Sequence, residues 1–436
     1  MDHKTTWFSI ERNPNETLLT FHPEPHVRFW PPSVLREMPL PRNLIRGGKV
    51  VITGPGSVWM YAHAAAMIAA EGGCVEVRKP QDQAARNLGD SSTQPSCSPR
   101  DFFTVHYREF GDEHSIALVK LDIRPSPPLT KAEISKVVEA VGDELKKLPG
   151  NSSICLTGSG PVEVYAGIAS AAVSQGVWRI VCISPRDGYV SVWPGKGEAP
   201  GLTSEAIGWI HTLLRPKQGS VTLGVVGDPN CGKSVLSRAL YYCAIRASYW
   251  AWRFDSDGQS PTPEWYLLLR QESPEQAEQL RKLQKIGWTH EMEKLLTRQL
   301  TIARDYFDVL IVDLPGGHLK ASPPQRIPPG REMLFNLIDR FIIVYQDQGS
   351  PQPWVEALRE HQLHKRIVAI IASANPREPP SLTLNKTADN IWRGHATGLD
   401  RAVKLDNIVS SFQESLLPFW NALCPRPKSP GDNPDR

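Results

Sequence analysis

Residues 221–240 read VTLGVVGDPNCGKSVLSRAL: an apolar run, a glycine-bounded turn and a helical pattern in immediate succession. Within it Gly227, Gly232, Lys233 and Ser234 stand at the spacing Gly-x-x-x-x-Gly-Lys-Ser, and this order leaves the backbone few options. The glycines let successive N–H groups curl around an anion, and the helix that follows points its positive end into the turn. Asn230 lies inside the curl and Val235 at the start of the helix, so both join the set of residues expected to touch the anion. A lysine after the second glycine reaches the β and γ oxygens of a nucleoside triphosphate, and the adjacent serine hydroxyl ligates Mg²⁺. Cys231 reads as a filler of the loop rather than a reactive thiol. Such a turn joins a strand to a helix, so the chain is expected to be α/β.

A partner follows in YFDVLIVDLPGG, where the apolar run Val309 to Val312 ends in Asp313, as expected of a buried parallel strand that delivers a carboxylate toward magnesium. Gly316 and Gly317 form a candidate turn that senses the γ-phosphate. Two more apolar runs, RFIIVYQD and RIVAIIASAN, continue an alternating strand and helix order. Asp313 and its strand resemble the Walker B element of P-loop NTPases, and the two motifs together cover most of residues 219–375. The resemblance implies ATP and Mg²⁺ as ligands, Lys233 and Asp313 as catalytic residues, and Ser234 and Asp313 at the metal. Two branches compete: VDLPGG looks like the signal-recognition and partitioning-ATPase branch, and IIASANPRE looks like the sensor strand of the AAA-type branch. Leu314 stands where AAA-type hydrolases carry a glutamate, which leaves Asp255 and Asp257 as acidic candidates for a base or as members of a solvated turn. Arg377, Arg393 and Arg401 are candidates for charge-stabilising fingers across the interface of a homo-oligomer, or for ordinary surface ion pairs.

The N-terminal half is built on a repeat. TGPGSVWMYA begins at Thr53 and TGSGPVEVYA at Thr157, so Gly54, Gly56, Val58 and Tyr61 recur as Gly158, Gly160, Val162 and Tyr165. Each copy places a Gly-x-Gly turn between a strand and a helix, a geometry that suits an anion or that serves only a tight reversal. A dinucleotide site asks for a third glycine and an acid about 20 positions on; Glu76 meets the second demand, but Trp59 and Glu163 stand where the glycine belongs. Between the copies, residues 81–101 are polar and read as a linker. Thr130 and Glu133 form a candidate capping box ahead of a helix with Ile134, Val137, Val138, Val141 and Leu145 on its apolar stripe.

With both copies in view, residues 5–80 and 103–193 resemble the CRISPR-associated ring nuclease family of type III systems, whose members carry a strand, a Gly-x-Gly turn, a helix and a strand ending in Asp-Pro-Arg. The carrying segments are VVITGPGSVWMYAHA, ICLTGSGPVEVYAG and IVCISPRDGYVSV. The resemblance implies an accessory protein of antiviral defence that binds cyclic tetra-adenylate or another cyclic oligoadenylate through Gly54, Gly56, Gly158, Gly160 and Arg186, with Lys79 as a further cation. The family's strand-end aspartate falls on Lys79 in one copy and Ser184 in the other, and its helix-end histidine has no counterpart, because His63 lies earlier on the helix. Ring cleavage is therefore expected to be weak or lost.

Composition narrows the partners. Of 436 residues, 49 are Lys or Arg and 46 Asp or Glu, a net charge of +3 that marks no general polyanion binder. Seven cysteines without a Cys-x-x-Cys pair argue against a disulfide framework and for a reducing compartment. The N-terminus has charges where a secretion signal needs an apolar core, and MYAHAAAMIAA is too short to span a bilayer, so a cytoplasmic chain is expected. The fold class expected is α/β: two tandem Rossmann-like modules over 1–90 and 100–200, followed by a P-loop NTPase domain over 205–425 with a mainly parallel sheet. Two other functions fit the same residues: a small-molecule kinase or ligase with a metabolite-binding front half, and a nucleotide-gated scaffold without catalysis.

Overall fold

A computed structural model describes residues 3–4, 8–13, 16–22, 32–37, 48–54, 56–78, 98–110, 114–123, 129–194, 201–216, 219–257, 262, 266, 270, 273–283 and 287–424. The chain is mixed α/β and divides into two compact units, Met1–Leu213 and Leu214–Arg436. Lys79, Pro55 and nearly all of the polar stretch 81–101 lie outside the described residues.

The first unit holds two five-stranded sheets. One runs β1 (His3–Lys4), β2 (Phe8–Arg12), β3 (Thr17–Phe21), β4 (Lys49–Thr53) and β5 (Cys74–Val77) in spatial order, antiparallel up to β3 and parallel from there on. Helix α1 (Val58–Ala70) connects β4 to β5. The other sheet comprises β6 (Phe103–Phe110), β7 (His114–Asp122), β8 (Ser152–Ser159), β9 (Arg179–Ser184) and β10 (Gly188–Trp193), also in spatial order. Strands β7, β8 and β9 are parallel, and β6 and β10 close the edges antiparallel. Helix α2 (Lys131–Leu145) crosses from β7 to β8, α3 (Val162–Ser174) crosses from β8 to β9, and α4 (Ser204–Leu214) follows β10.

The capping box forms as expected: Glu133 N donates to Thr130 Oγ1 at 3.3 Å, and Thr130 N donates to Glu133 Oε2 at 2.7 Å. The helices after the Gly-x-Gly turns behave differently from α2. Trp59, Met60, Tyr61, Ala62, Ala64, Ala65, Ala66 and Ile68 of α1 are all buried. A helix apolar on every side must be covered on every side, and α1 is covered by α3, whose own alanines allow close approach, and by both sheets. One core cluster therefore runs through both copies of the repeat, from Phe8 to Val192.

The second unit is a seven-stranded sheet flanked by helices. Its elements are β11 (Val221–Gly227), α5 (Lys233–Arg246), β12 (Ala251–Asp255), α6 (Pro274–Leu283), α7 (His290–Ala303), β13 (Val309–Asp313), α8 (Glu332–Asn336), β14 (Arg340–Gln346), α9 (Gln352–Glu360), β15 (Ile367–Ser373), β16 (Ser381–Lys386), β17 (Trp392–Thr397) and α10 (Leu405–Leu423). The order β12-β13-β11-β14-β15-β17-β16 is parallel throughout except for β16. Strand β11 sits where the chain turns from building one side of the sheet to building the other, and in open α/β sheets the crevice at that point is where ligands bind. All five residues of β13 are buried, as a central parallel strand requires. Helix α10 covers α5 with Phe412, Leu416, Phe419 and Trp420. Among the described residues no helix is long and apolar enough to cross a membrane.

Candidate functional site

The loop between β11 and α5 has the geometry that its glycines were expected to permit. Asn230 (φ 66°) and Gly232 (φ 88°) adopt left-handed backbone, open to glycine and tolerated by asparagine. A Cβ on Gly232 would lie 2.7 Å from Leu399 Cβ, and one on Gly227 would run into the Val344 carbonyl. Such alternation of handedness turns successive N–H groups to one concave side. Cys231 is buried beneath the curl, and burial pushes its thiol upward, so it fills the loop as expected rather than acting as a thiolate. The Val235 side chain belongs to the core, which leaves only its backbone to meet a ligand. Gly232, Lys233 and Ser234 are partly exposed.

Lys233 Nζ rests on the Asp228 carbonyl at 3.5 Å. A Cβ on Gly316 would lie 3.3 Å from Lys233 Nζ, so the turn after β13 sits directly against the loop. Asp313 ends β13 beside β11, as the sequence predicts, with Leu314 N donating to Val225 O at 3.1 Å. Its carboxylate is engaged in a way that the sequence does not signal: Arg253 Nη2 donates to Asp313 Oδ2 at 2.6 Å, with both side chains almost fully buried. The same guanidinium donates through Nε to Ser237 Oγ at 2.8 Å and through Nη1 to Thr262 O at 3.0 Å. Arg253 lies on β12, in register with Ile311 of β13.

The other acidic and basic candidates fall into local roles. Asp255 accepts from Thr262 N at 2.6 Å and from Asp257 N at 3.2 Å. Arg393 donates to Asp389 at 3.0 Å inside its own hairpin, and the Arg401 guanidinium lies 6.0 Å from the Tyr266 ring centroid. Asn375 Oδ1 accepts from Arg377 N at 3.0 Å, so the stretch likened to a sensor strand ends in a tight turn. Strand β15 is two places from β11, about 10 Å at normal strand spacing.

Asp228 was not singled out by the sequence. Trp354 Nε1 of α9 donates to its Oδ1 at 2.7 Å, and Arg326 Nη2 donates to its Oδ2 at 3.0 Å. Among the described residues no group of three or more His, Cys, Asp or Glu side chains is gathered to hold a metal. Ser234 and Asp313 carry oxygen donors of the kind that Mg²⁺ takes, with the Asp313 carboxylate bonded to Arg253 in this structure.

The paired turns of the first unit are near copies of each other. Gly54 (φ 101°) and Gly158 (φ 108°) are left-handed, and a Cβ on either would strike the backbone carbonyl of the neighbouring strand, Phe21 or Leu121. Gly56 and Gly160 face the side chains of the same two residues. Tyr61 Oη donates to Gly54 O, and Tyr165 Oη to Gly158 O at 2.8 Å. Close packing against backbone accounts for Gly54 and Gly158 by itself. The two copies also interlock: Trp59 Nε1 donates to Asp187 Oδ2 at 2.9 Å, and buried His63 donates through Nδ1 to Val192 O at 2.7 Å. His63 is thus a core residue that ties α1 to β10. Ser184 donates to Asp187 Oδ2 at 2.9 Å and accepts from Arg186 N at 3.3 Å. Arg186 itself is exposed. Glu76 pairs with Lys49 and Arg78 at the edge of its sheet, and these hydrogen bonds, Lys49 foremost, hold its carboxyl down to about 2.

No family model matches the chain, and no curated protein matches it. Among solved structures, the signal recognition particle receptor FtsY from Elizabethkingia anophelis is similar over 56% of this chain and 72% of its own, at 12% identity and a TM-score of 0.21. A superposition that loose carries no argument about function.

Proposed function

We propose that the chain couples a nucleotide-hydrolysing unit, which takes ATP, to a unit that binds a cyclic oligoadenylate, and that it serves type III CRISPR defence in the cytoplasm as a homo-oligomer. The observation that supports the first half most directly is the convergence of Lys233, Gly316 and the left-handed loop at the carboxyl ends of β11 and β13. The residues fit the ligand: Asn230 and Gly232 hold the left-handed backbone that curls the loop, Lys233 Nζ lies over that loop against the Asp228 carbonyl, and Ser234 stands in the first turn of α5. Bound Mg²⁺ would neutralise charge developing between the β and γ oxygens. Lys233 would exchange the Asp228 carbonyl for phosphate oxygens, Ser234 and Asp313 would orient the metal, and Gly316 would present its N–H to the γ-phosphate.

For the second half, support comes from two copies of one strand–turn–helix unit sharing a core, with α1 bonded through Trp59 to the turn that carries Arg186. Ring cleavage needs an activated nucleophile and a positioned acid or base, and Ser184 stands where the resemblance asks for the aspartate. Binding without rapid cleavage follows.

Calorimetry on the full chain tests both halves. Lys233→Ala is expected to weaken binding of ATP with Mg²⁺ about 10- to 100-fold, since a charge-assisted hydrogen bond contributes roughly 1.5–3 kcal/mol; equal affinity would sink the ATP site. Cyclic tetra-adenylate is expected to bind saturably, and Arg186→Ala to weaken it about 10-fold. Failure of wild-type protein to bind any ring size would end the oligoadenylate reading. Transfer of phosphate to a metabolite instead of water would mark a kinase.

A further inference from the structure

Arg326 lies outside every motif in the sequence, yet the fold delivers it to the mouth of the phosphate loop. The turn after β13 doubles back on itself: His318 N donates to Gln325 O at 2.7 Å, and Gln325 N to His318 O at 3.1 Å. Gly317 is left-handed (φ 80°), and a Cβ there would lie 2.7 Å from Arg326 Cα. Arg326 is therefore fixed beside the Gly316–Gly317 turn, and Gly316 abuts Lys233 and Pro229 of the loop.

Its guanidinium is partly engaged. Nη2 donates to Asp228 Oδ2 at 3.0 Å, while Nε is buried with no hydrogen-bond partner among the described residues. The side chain is 17% exposed, so most of it is out of water. Asp228 carries a second cation as well, because Lys233 Nζ rests on its carbonyl. Two positive side chains thus sit on one residue at the edge of a cradle built for anions. An incoming phosphate offers both of them a stronger acceptor, since guanidinium and phosphate match in a two-pronged fork.

Resting on the hydrolase reading above, we infer that Arg326 is a catalytic residue of the second unit, a charge-stabilising arginine supplied by the same chain, with the Asp228 pair as its resting position. In hydrolysis the bond from the γ-phosphorus to the β–γ bridging oxygen breaks as a water oxygen bonds to phosphorus. The electron pair leaves with ADP, and the water protons leave with inorganic phosphate or pass to solvent. Negative charge that gathers on the bridging and equatorial oxygens is met by the freed Arg326 fork and by Lys233. Trp354 retains Asp228 Oδ1 when Arg326 departs, which keeps the aspartate from following its partner into the cradle.

The test compares two probes in calorimetry on the full chain with Mg²⁺: a non-hydrolysable ATP analogue for the ground state, and ADP with aluminium fluoride for the planar phosphoryl of the transition state. Wild-type protein is expected to bind the second more tightly. Arg326→Ala should reduce that margin about 10²- to 10³-fold, with a parallel fall in kcat, and change affinity for the ATP analogue by less than about 5-fold. Arg326→Lys, which keeps the charge and loses the fork, should fall between the two. Asp228→Asn, which releases Arg326, should preserve the margin. An unchanged margin in Arg326→Ala overturns the inference, and so does an Asp228→Asn variant that loses as much as Arg326→Ala, because Arg326 would then act only by holding the loop. Wild-type protein that binds neither probe overturns the hydrolase reading together with the inference, whereas binding of both with no Arg326 effect overturns the inference alone.

Discussion

Replacement of Gly158 by alanine is expected to destabilise the N-terminal unit by about 2–6 kcal/mol. Two costs add. A non-glycine residue at φ 108° is strained by about 1–3 kcal/mol, and the new Cβ would run into the Leu121 carbonyl, with Leu121 N at 2.7 Å, an overpacking that typically costs about 1–3 kcal/mol. Because the obstacle is strand backbone, at the last residue but one of β7, no side-chain rotation relieves it. Gly176 is the internal control: it is also left-handed (φ 79°), but a Cβ there meets nothing within 4 Å. Gly176→Ala is expected to cost about 1 kcal/mol. Chemical denaturation of the two variants measures the difference. Equal stabilities would mean that the turn relaxes away from Leu121 and that its glycine answers to something other than packing.

Asp313→Ala is expected to destabilise the second unit by about 3–5 kcal/mol, the usual consequence of stranding one member of a buried ion pair. Arg253 would keep Ser237 Oγ and Thr262 O as acceptors but lose its counter-charge. Asp313→Asn, which retains an acceptor for the 2.6 Å bond, should cost less. Replacing both partners by apolar residues, Arg253→Met with Asp313→Leu, is expected to restore stability to near the wild-type value while abolishing the proposed nucleotide turnover. If thermal melts show the single and double variants equally destabilised, the cost comes from lost packing and not from a stranded charge.

The chain was legible where local spacing carries the geometry. The loop from Gly227 to Ser234, the strand ending in Asp313 and the cap at Thr130 each depend on residues a few positions apart, and all three form as the sequence predicts. What was not legible depends on pairing at a distance. Arg253 meets Asp313 across sixty positions, and Trp354 meets Asp228 across 126; no period or spacing announces either contact. Short edge strands escaped for a different reason. In β16 the pattern SLTLNK alternates polar and apolar, with only Leu382 and Leu384 buried, and β12 is a five-residue run broken by Arg253. Such strands exist because a neighbouring strand offers them hydrogen bonds, and their own composition says little. Asp187 escaped as well, since the sequence directs attention to Ser184 and Arg186, whereas the carboxylate that Trp59 reaches lies just beyond them.

The shared core of the two modules has a further consequence. In a symmetric dimer every substitution occurs twice, so the two halves of a ligand cavity must change together. Here both halves lie on one chain, and each can drift alone: Trp59 bonds Asp187, while its counterpart Glu163 is acidic and places its charge near Tyr61. Dilution cannot separate the halves, so neither has to keep an interface that would reassemble them. A ring-shaped ligand seated between them would meet two unlike faces. On the proposed reading, the tandem chain would thereby be able to tell one side of such a ring from the other, a distinction that no two-fold symmetric receptor can make.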